Sequence, residues 1–238
     1  MIHALQPRAA RANRVAGAAE DGRRGSKHMK SYEFASLLCS RLCHDLLSPV
    51  GALNNGIELL ADEHDPEMRA RCLDLLGESA RASANKLKFF RLAFGAAGGF
   101  ADEVDTREAR AAIEGLFGGD GRIRLGWMVD EPVMSKAALK VLLNIVLIAG
   151  DALVRGGSLD IGAEKQNGSL EIVVRAEGSR IVLDPELRKV LVGETPEDEV
   201  APRAAAAWLV HCLVEEGGGR IQVADQEGML LVGASLPA

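Results

Sequence analysis

Two long apolar stripes at helical spacing, separated by one short acidic turn, constrain this chain more than any other feature. Leu38, Leu42, Leu46, Pro49 or Val50, Leu53, Ile57 and Leu60 recur at steps of three and four, the period of one helix face. They predict a helix from Ser31 to about Ala61. Asp62-Glu63-His64-Asp65-Pro66 then reads as a compact turn, with Asp65 as N-cap and Pro66 at the first helical position. Leu73, Leu76, Ala80, Ser83 or Ala84, Leu87, Phe90 and Phe94 predict a second helix to about Phe94, ended by Gly95, Gly98 and Gly99. Antiparallel helices joined this tightly form a hairpin. A hairpin cannot bury two such stripes alone, so two chains are expected to pair into a four-helix bundle, a homodimer.

The first helix carries the chemistry. Within Ser40-Arg41-Leu42-Cys43-His44-Asp45-Leu46-Leu47-Ser48-Pro49 an imidazole stands beside a carboxylate. At about 100° per residue His44 lies roughly 200° from Leu42, so it points away from the stripe. Ser40, Arg41, Ser48 and Asn55 are expected on the same open face. Pro49 cannot donate to the Asp45 carbonyl and is expected to bend the helix just beyond that turn.

Composition narrows the function. A net charge of −6 argues against a nucleic-acid binder, which needs a basic face. The longest apolar run, Val141 to Ala149, contains Asn144 and is far short of a membrane span. Cys39, Cys43, Cys72 and Cys212 form no CxxC pair or disulfide framework, which suits a reducing cytoplasm. Cys39, Cys43 and His44 do not make a metal site, because Cys43 and His44 diverge by about 100° and no second ligand pair follows. Residues 1–30 are rich in Arg, Ala and Gly without an apolar period. They are expected to be a disordered extension, or to precede a true start at Met29.

The remainder, 102–238, has a different grammar from the hairpin of 31–97. Thr106 to Phe117 reads as a helix, and Ile123, Leu125, Trp127 and Val129 alternate as a strand. Ser135 to Val154 is an apolar helix. Leu159-Ile161-Ala163 and Leu170-Ile172-Val174 form a hairpin across Asn167-Gly168. A short helix at Pro185–Leu191, an acidic loop, a helix at Pro202–Glu216 and a last hairpin around Gln226-Glu227-Gly228 complete it. The fold class is α+β: a helical hairpin followed by a sandwich with helices on one sheet face.

A His-Asp-x-x-Ser-Pro box on a hairpin, followed by this order of elements, resembles a two-component histidine kinase core, a phosphotransfer bundle joined to a GHKL (Bergerat-fold) domain. The resemblance covers about 34–238, and Val210 to Ile221 is similar to the helix-to-strand segment after the family's ATP lid. The nucleotide motifs do not follow. Asn144 matches one Asn of the magnesium box, but its partners four residues either side are Lys140 and Ile148. The adenine-binding Asp aligns with Ala176, the following flexible Gly with Arg180, and the second glycine box with Ala204 to Ala207. Methyl groups there bar the close approach of backbone to phosphate.

A kinase-like dimer without nucleotide binding resembles the ChpT-type histidine phosphotransferases of bacterial phosphorelays. That resemblance implies His44 as phosphoacceptor and Asp45 as its orienting carboxylate, with Arg41, Ser48, Asn55 and Arg91 as candidates for the phosphoryl group or a docked receiver. It also implies no cofactor on this chain, with magnesium on the receiver. The implied partners are the receiver of a hybrid histidine kinase and one or more response regulators. Three alternatives are an ATP-dependent soluble histidine kinase, a non-catalytic GHKL-derived binding protein and a response-regulator phosphatase.

Overall fold

The computed structural model describes residues 29–95, 102–119 and 121–237. The expectation for the N-terminal extension falls almost wholly outside that set, as do Gly98 and Gly99. Helix α1, Ser31–Asp62, is joined to α2, Pro66–Ala93, through Asp65, whose side chain accepts a hydrogen bond from the Glu67 amide at 3.0 Å. Pro66, at the first helical position, needs no donor there.

The second part begins with β1, Glu103–Asp105, and α3, Thr106–Phe117, then β2, Ile123–Val129, β3, Val133–Ser135, and α4, Lys136–Ala152. It continues through β4, Gly157–Gln166, β5, Ser169–Glu177, α5, Pro185–Leu191, α6, Ala205–Glu216, β6, Arg220–Gln226, and β7, Met229–Pro237. Short polar side chains start the helices: Asp105, Ser135 and Asp184 each accept from an amide of the first turn. Asn167 and Gly168 take positive φ at the β4–β5 turn, the conformation a two-residue hairpin requires.

The main sheet runs β2-β4-β5-β7-β6, with β2 parallel to β4 and the other pairs antiparallel. Its inner face presents Leu159, Ile161, Ile172, Val174, Leu230 and Val232 to α4 and α6. The expected elements are all present. A small antiparallel pair, β1 with β3, was not anticipated, because three-residue strands are too short to show an alternation.

The end of α2 enters this core: Phe89, Phe90, Leu92 and Ala93 are buried among α3 and α4. Asn144 of α4 fastens it, its Nδ2 donating to the Ala93 carbonyl at 3.1 Å and to Lys140 at 2.8 Å. The hairpin's expected stripes prove to be split. Leu42, Leu46, Leu53 and Leu76 face inward, but Val50, Ile57, Leu73 and Leu87 are exposed together with Leu47. A single chain therefore covers only part of each apolar face.

Candidate functional site

His44 stands on the open side of α1, with its side chain 84% exposed. Asp45 is one residue, about 100°, further round the helix and is turned inward, 15% exposed. The two still meet: Nδ1 of the imidazole is 3.1 Å from Asp45 Oδ1. A carboxylate that accepts Nδ1–H fixes the tautomer and leaves the lone pair of Nε2 facing solvent.

Two further groups hold Asp45. Nε of Arg41, one turn earlier, donates to Asp45 Oδ2 at 2.7 Å. The same guanidinium donates through Nη2 to Asp151 Oδ2 at 2.7 Å and through Nη1 to the Arg203 carbonyl at 3.3 Å, both in the second domain. From α2, Lys86 Nζ donates to the Asp45 backbone carbonyl at 2.8 Å. Pro49 makes that carbonyl available, since the residue four positions on would normally donate to it and proline has no N–H.

Burial alone would lower the Arg41 pKa, but Asp151 and Asp45 outweigh it and hold the guanidinium above its ordinary value. Around Asp151, close packing pushes the carboxyl up against the pull of Arg41, although 49% of its side chain still meets solvent. The 2.7 Å contact to a cation is that of a carboxylate.

The structure thus brings His44, Asp45 and Arg41 together, but not as expected. Arg41 does not share the open face of His44; it is 16% exposed, and its guanidinium is turned toward the second domain by two carboxylates and a carbonyl. Ser48 is exposed on the His44 side. Asn55 is eleven residues beyond His44, about 16 Å along the axis, in a groove at the hairpin tip with Glu58, Leu59 and Asp62. Arg91 lines a separate groove with Lys88 and with Glu108 and Ala111 of α3. Neither Asn55 nor Arg91 joins the His44 cluster.

Asp151 and the Arg203 carbonyl escaped the sequence reading, as did the contact of Lys86 with the Asp45 carbonyl. Pro49 signalled that the Asp45 carbonyl needed a donor, but only the packed hairpin shows which lysine supplies it. Among the described residues no cluster of His, Cys, Asp and Glu is placed to hold a metal ion, and no helix is long and apolar enough to cross a membrane. All four cysteines are free thiols.

An exposed imidazole, tied through one nitrogen to a carboxylate and mounted on a hairpin that docks on an α/β sandwich, is the architecture of a histidine-based protein phosphotransferase. Residues 106–228 match the histidine phosphotransferase C-terminal domain. Over 195 residues the chain is 32% identical to protein phosphotransferase ChpT of Brucella abortus (strain 2308), an alignment spanning 82% of this chain and 91% of that one. A solved bacterial phosphotransferase superposes with a TM-score of 0.77 at 30% identity, covering 88% of this chain and 98% of that one. The chain belongs to the histidine phosphotransferase family.

Proposed function

We propose that His44 is the relay point of a phosphorelay, taking a phosphoryl group from an aspartyl phosphate on one receiver domain and delivering it to an aspartate on another. The observation that carries this reading is the pairing of an 84% exposed ring with a carboxylate 3.1 Å from Nδ1. The lone pair of Nε2 attacks phosphorus. An N–P bond forms as the bond from phosphorus to the aspartyl oxygen breaks, and its electron pair leaves with the carboxylate. Nδ1 keeps its proton, so the phosphorylated ring is cationic and faces Asp45, which stabilises it. The reverse attack by a second receiver's aspartate regenerates neutral histidine.

Such a transfer needs alignment and charge neutralisation more than covalent assistance. Magnesium is supplied by the receiver, and Lys86, held at the Asp45 carbonyl, adds positive potential beside the reacting ring. Ser48 and Asn55, on the His44 side of α1, are docking contacts for the receiver; Arg91 contributes charge at a distance. Partner receivers place this chemistry in the cytoplasm. The exposed Leu47, Val50, Ile57, Leu73 and Leu87 are covered by a second copy of the hairpin in a homodimeric four-helix bundle.

The second domain binds no nucleotide in this reading. Ala176 lies near the end of β5 with no exposed surface, and Ala204 to Ala207 are packed into the core at the start of α6. Asn144, the residue aligned with a magnesium ligand, is instead a strut to the Ala93 carbonyl. Incubation with a phosphorylated receiver should give a label on the chain that is stable to alkali and labile to acid, as a phosphoramidate is. Labelling by magnesium-ATP alone would overturn the reading.

A further inference from the structure

We propose that Asp151, at the last turn of α4, is a positioning residue for transfer at His44: by occupying one edge of the Arg41 guanidinium it keeps an oxygen of Asp45 free for the imidazole. The inference rests on His44 being the phosphoryl acceptor.

Nε–H and Nη2–H of an arginine are parallel donors, and they grip a single carboxylate through both of its oxygens. Here that fork is divided. Nε takes Asp45 Oδ2 and Nη2 takes Asp151 Oδ2, each at 2.7 Å. Asp45 therefore spends only one oxygen on Arg41, and Oδ1 remains for His44 Nδ1 at 3.1 Å. Without Asp151, Nη2–H loses its acceptor in a pocket where Arg41 is 16% exposed, and the fork geometry then favours Oδ1 of the carboxylate that Nε already holds. The ring nitrogen would then lose the partner that fixes its tautomer.

The contact is not explained by the needs of the fold. Asp151 is one of only four residues of α4 that are not buried, the others being Lys136, Ala137 and Lys140. Its neighbours Gly150 and Ala152 are buried in the core, so α4 is held in place whatever side chain stands at 151. The Nη1 bond to the Arg203 carbonyl comes from the segment leading into α6. Two elements of the second domain thus hold the far side of one guanidinium, and the near side meets the carboxylate beside the reacting histidine. A domain packed solid with alanine where relatives of its fold class bind nucleotide retains a use: it sets the orientation of a side chain on the hairpin.

The test uses the full chain and two independent readouts. Long-range nitrogen–proton NMR of labelled imidazole at a pH of about 8, where histidine is neutral, reports the His44 tautomer without any receiver; His44→Gln assigns the signal. Wild type should be mainly Nδ1–H, and Asp151→Ala should shift it toward Nε2–H. The rate of phosphoryl acceptance at saturating phosphorylated receiver should fall about tenfold in Asp151→Ala, with the receiver's KM changed by less than about twofold. Asp151→Asn, which keeps an oxygen for Nη2–H without the charge, should lie between. An unchanged tautomer and rate in folded Asp151→Ala overturns the proposal, as does a loss confined to KM, which would make Asp151 a docking contact. A wild-type chain that accepts no phosphoryl group overturns the relay reading instead, and the NMR signal shows separately whether Asp151 acts on the ring.

Discussion

Of the 32 residues of α1 only Pro49 is buried, whereas α4, with 17, buries all but Lys136, Ala137, Lys140 and Asp151. Both helices are apolar enough to be cores, yet one is surrounded by its own chain and the other is open along much of its length. The difference separates two uses of the same apolar period. α4 organises a closed sandwich, while α1 exposes two surfaces at once: a polar one bearing His44 and an apolar one bearing Leu47, Val50 and Ile57. In the relay reading the chemistry sits on the element left unfinished by its own chain, and the finished domain holds Arg41 beside it.

The contrast can be broken most severely at the open stripe. Leu47→Asp combined with Ile57→Asp places charges in the proposed dimer interface, where an unpaired charge costs several kcal/mol. Light scattering should show the mass of one chain, with association weakened about a thousandfold or more and the circular dichroism of the α/β part retained. A dimer of unchanged affinity would mean that the stripe is covered by something else.

The closed core responds differently. Leu142, with no exposed surface, should cost about 3 kcal/mol of unfolding free energy when changed to Ala, measured by urea denaturation. The same change at Leu47, 70% exposed, should cost under about 0.5 kcal/mol once the unfolding is extrapolated to dissociated chains. Equal losses at the two sites would erase the distinction.

Thiol reactivity sharpens it further. Burial, with Glu216, Glu197 and Glu215 nearby, pushes the Cys212 thiol up to about 11. Thiolate forms as pH rises, so at a pH near 8 Cys212 should alkylate about a hundredfold more slowly than a thiol of ordinary pKa. Its rate should rise about tenfold per pH unit until pH nears 11. Mass spectrometry of peptides would follow it beside the exposed Cys39.

A modest effect is expected within the hairpin, where Lys86 of α2 reaches the Asp45 carbonyl of α1. Lys86→Met keeps the alkyl chain but leaves the Asp45 carbonyl without its donor. A cost of about 1–2 kcal/mol in stability is expected, with a several-fold slower transfer. No change in either would remove Lys86 from the site.

Local chemistry made most of this architecture readable in advance. Asp65-Pro66 marked the start of α2, Asn167-Gly168 marked the β4–β5 turn, and the run after Ser135 could only be a buried helix. His44 and Asp45 were visible because they share a helical turn. What escaped depends on docking. The inward turn of Arg41 is decided by Asp151, 110 residues away, and the split of the hairpin stripes by which sides of α1 and α2 face each other. Neither leaves a periodic trace in the chain.

The central claim, that His44 passes a phosphoryl group between receivers rather than making or discarding one, is tested most directly by a chase. Phosphorus NMR would follow a labelled first receiver, then the chain, then an added second receiver. Relay through His44 predicts an N–P signal in wild type, none in His44→Gln, and loss of that signal matched by aspartyl phosphate on the second receiver. Label released mainly as inorganic phosphate, or an equal signal in His44→Gln, would contradict it.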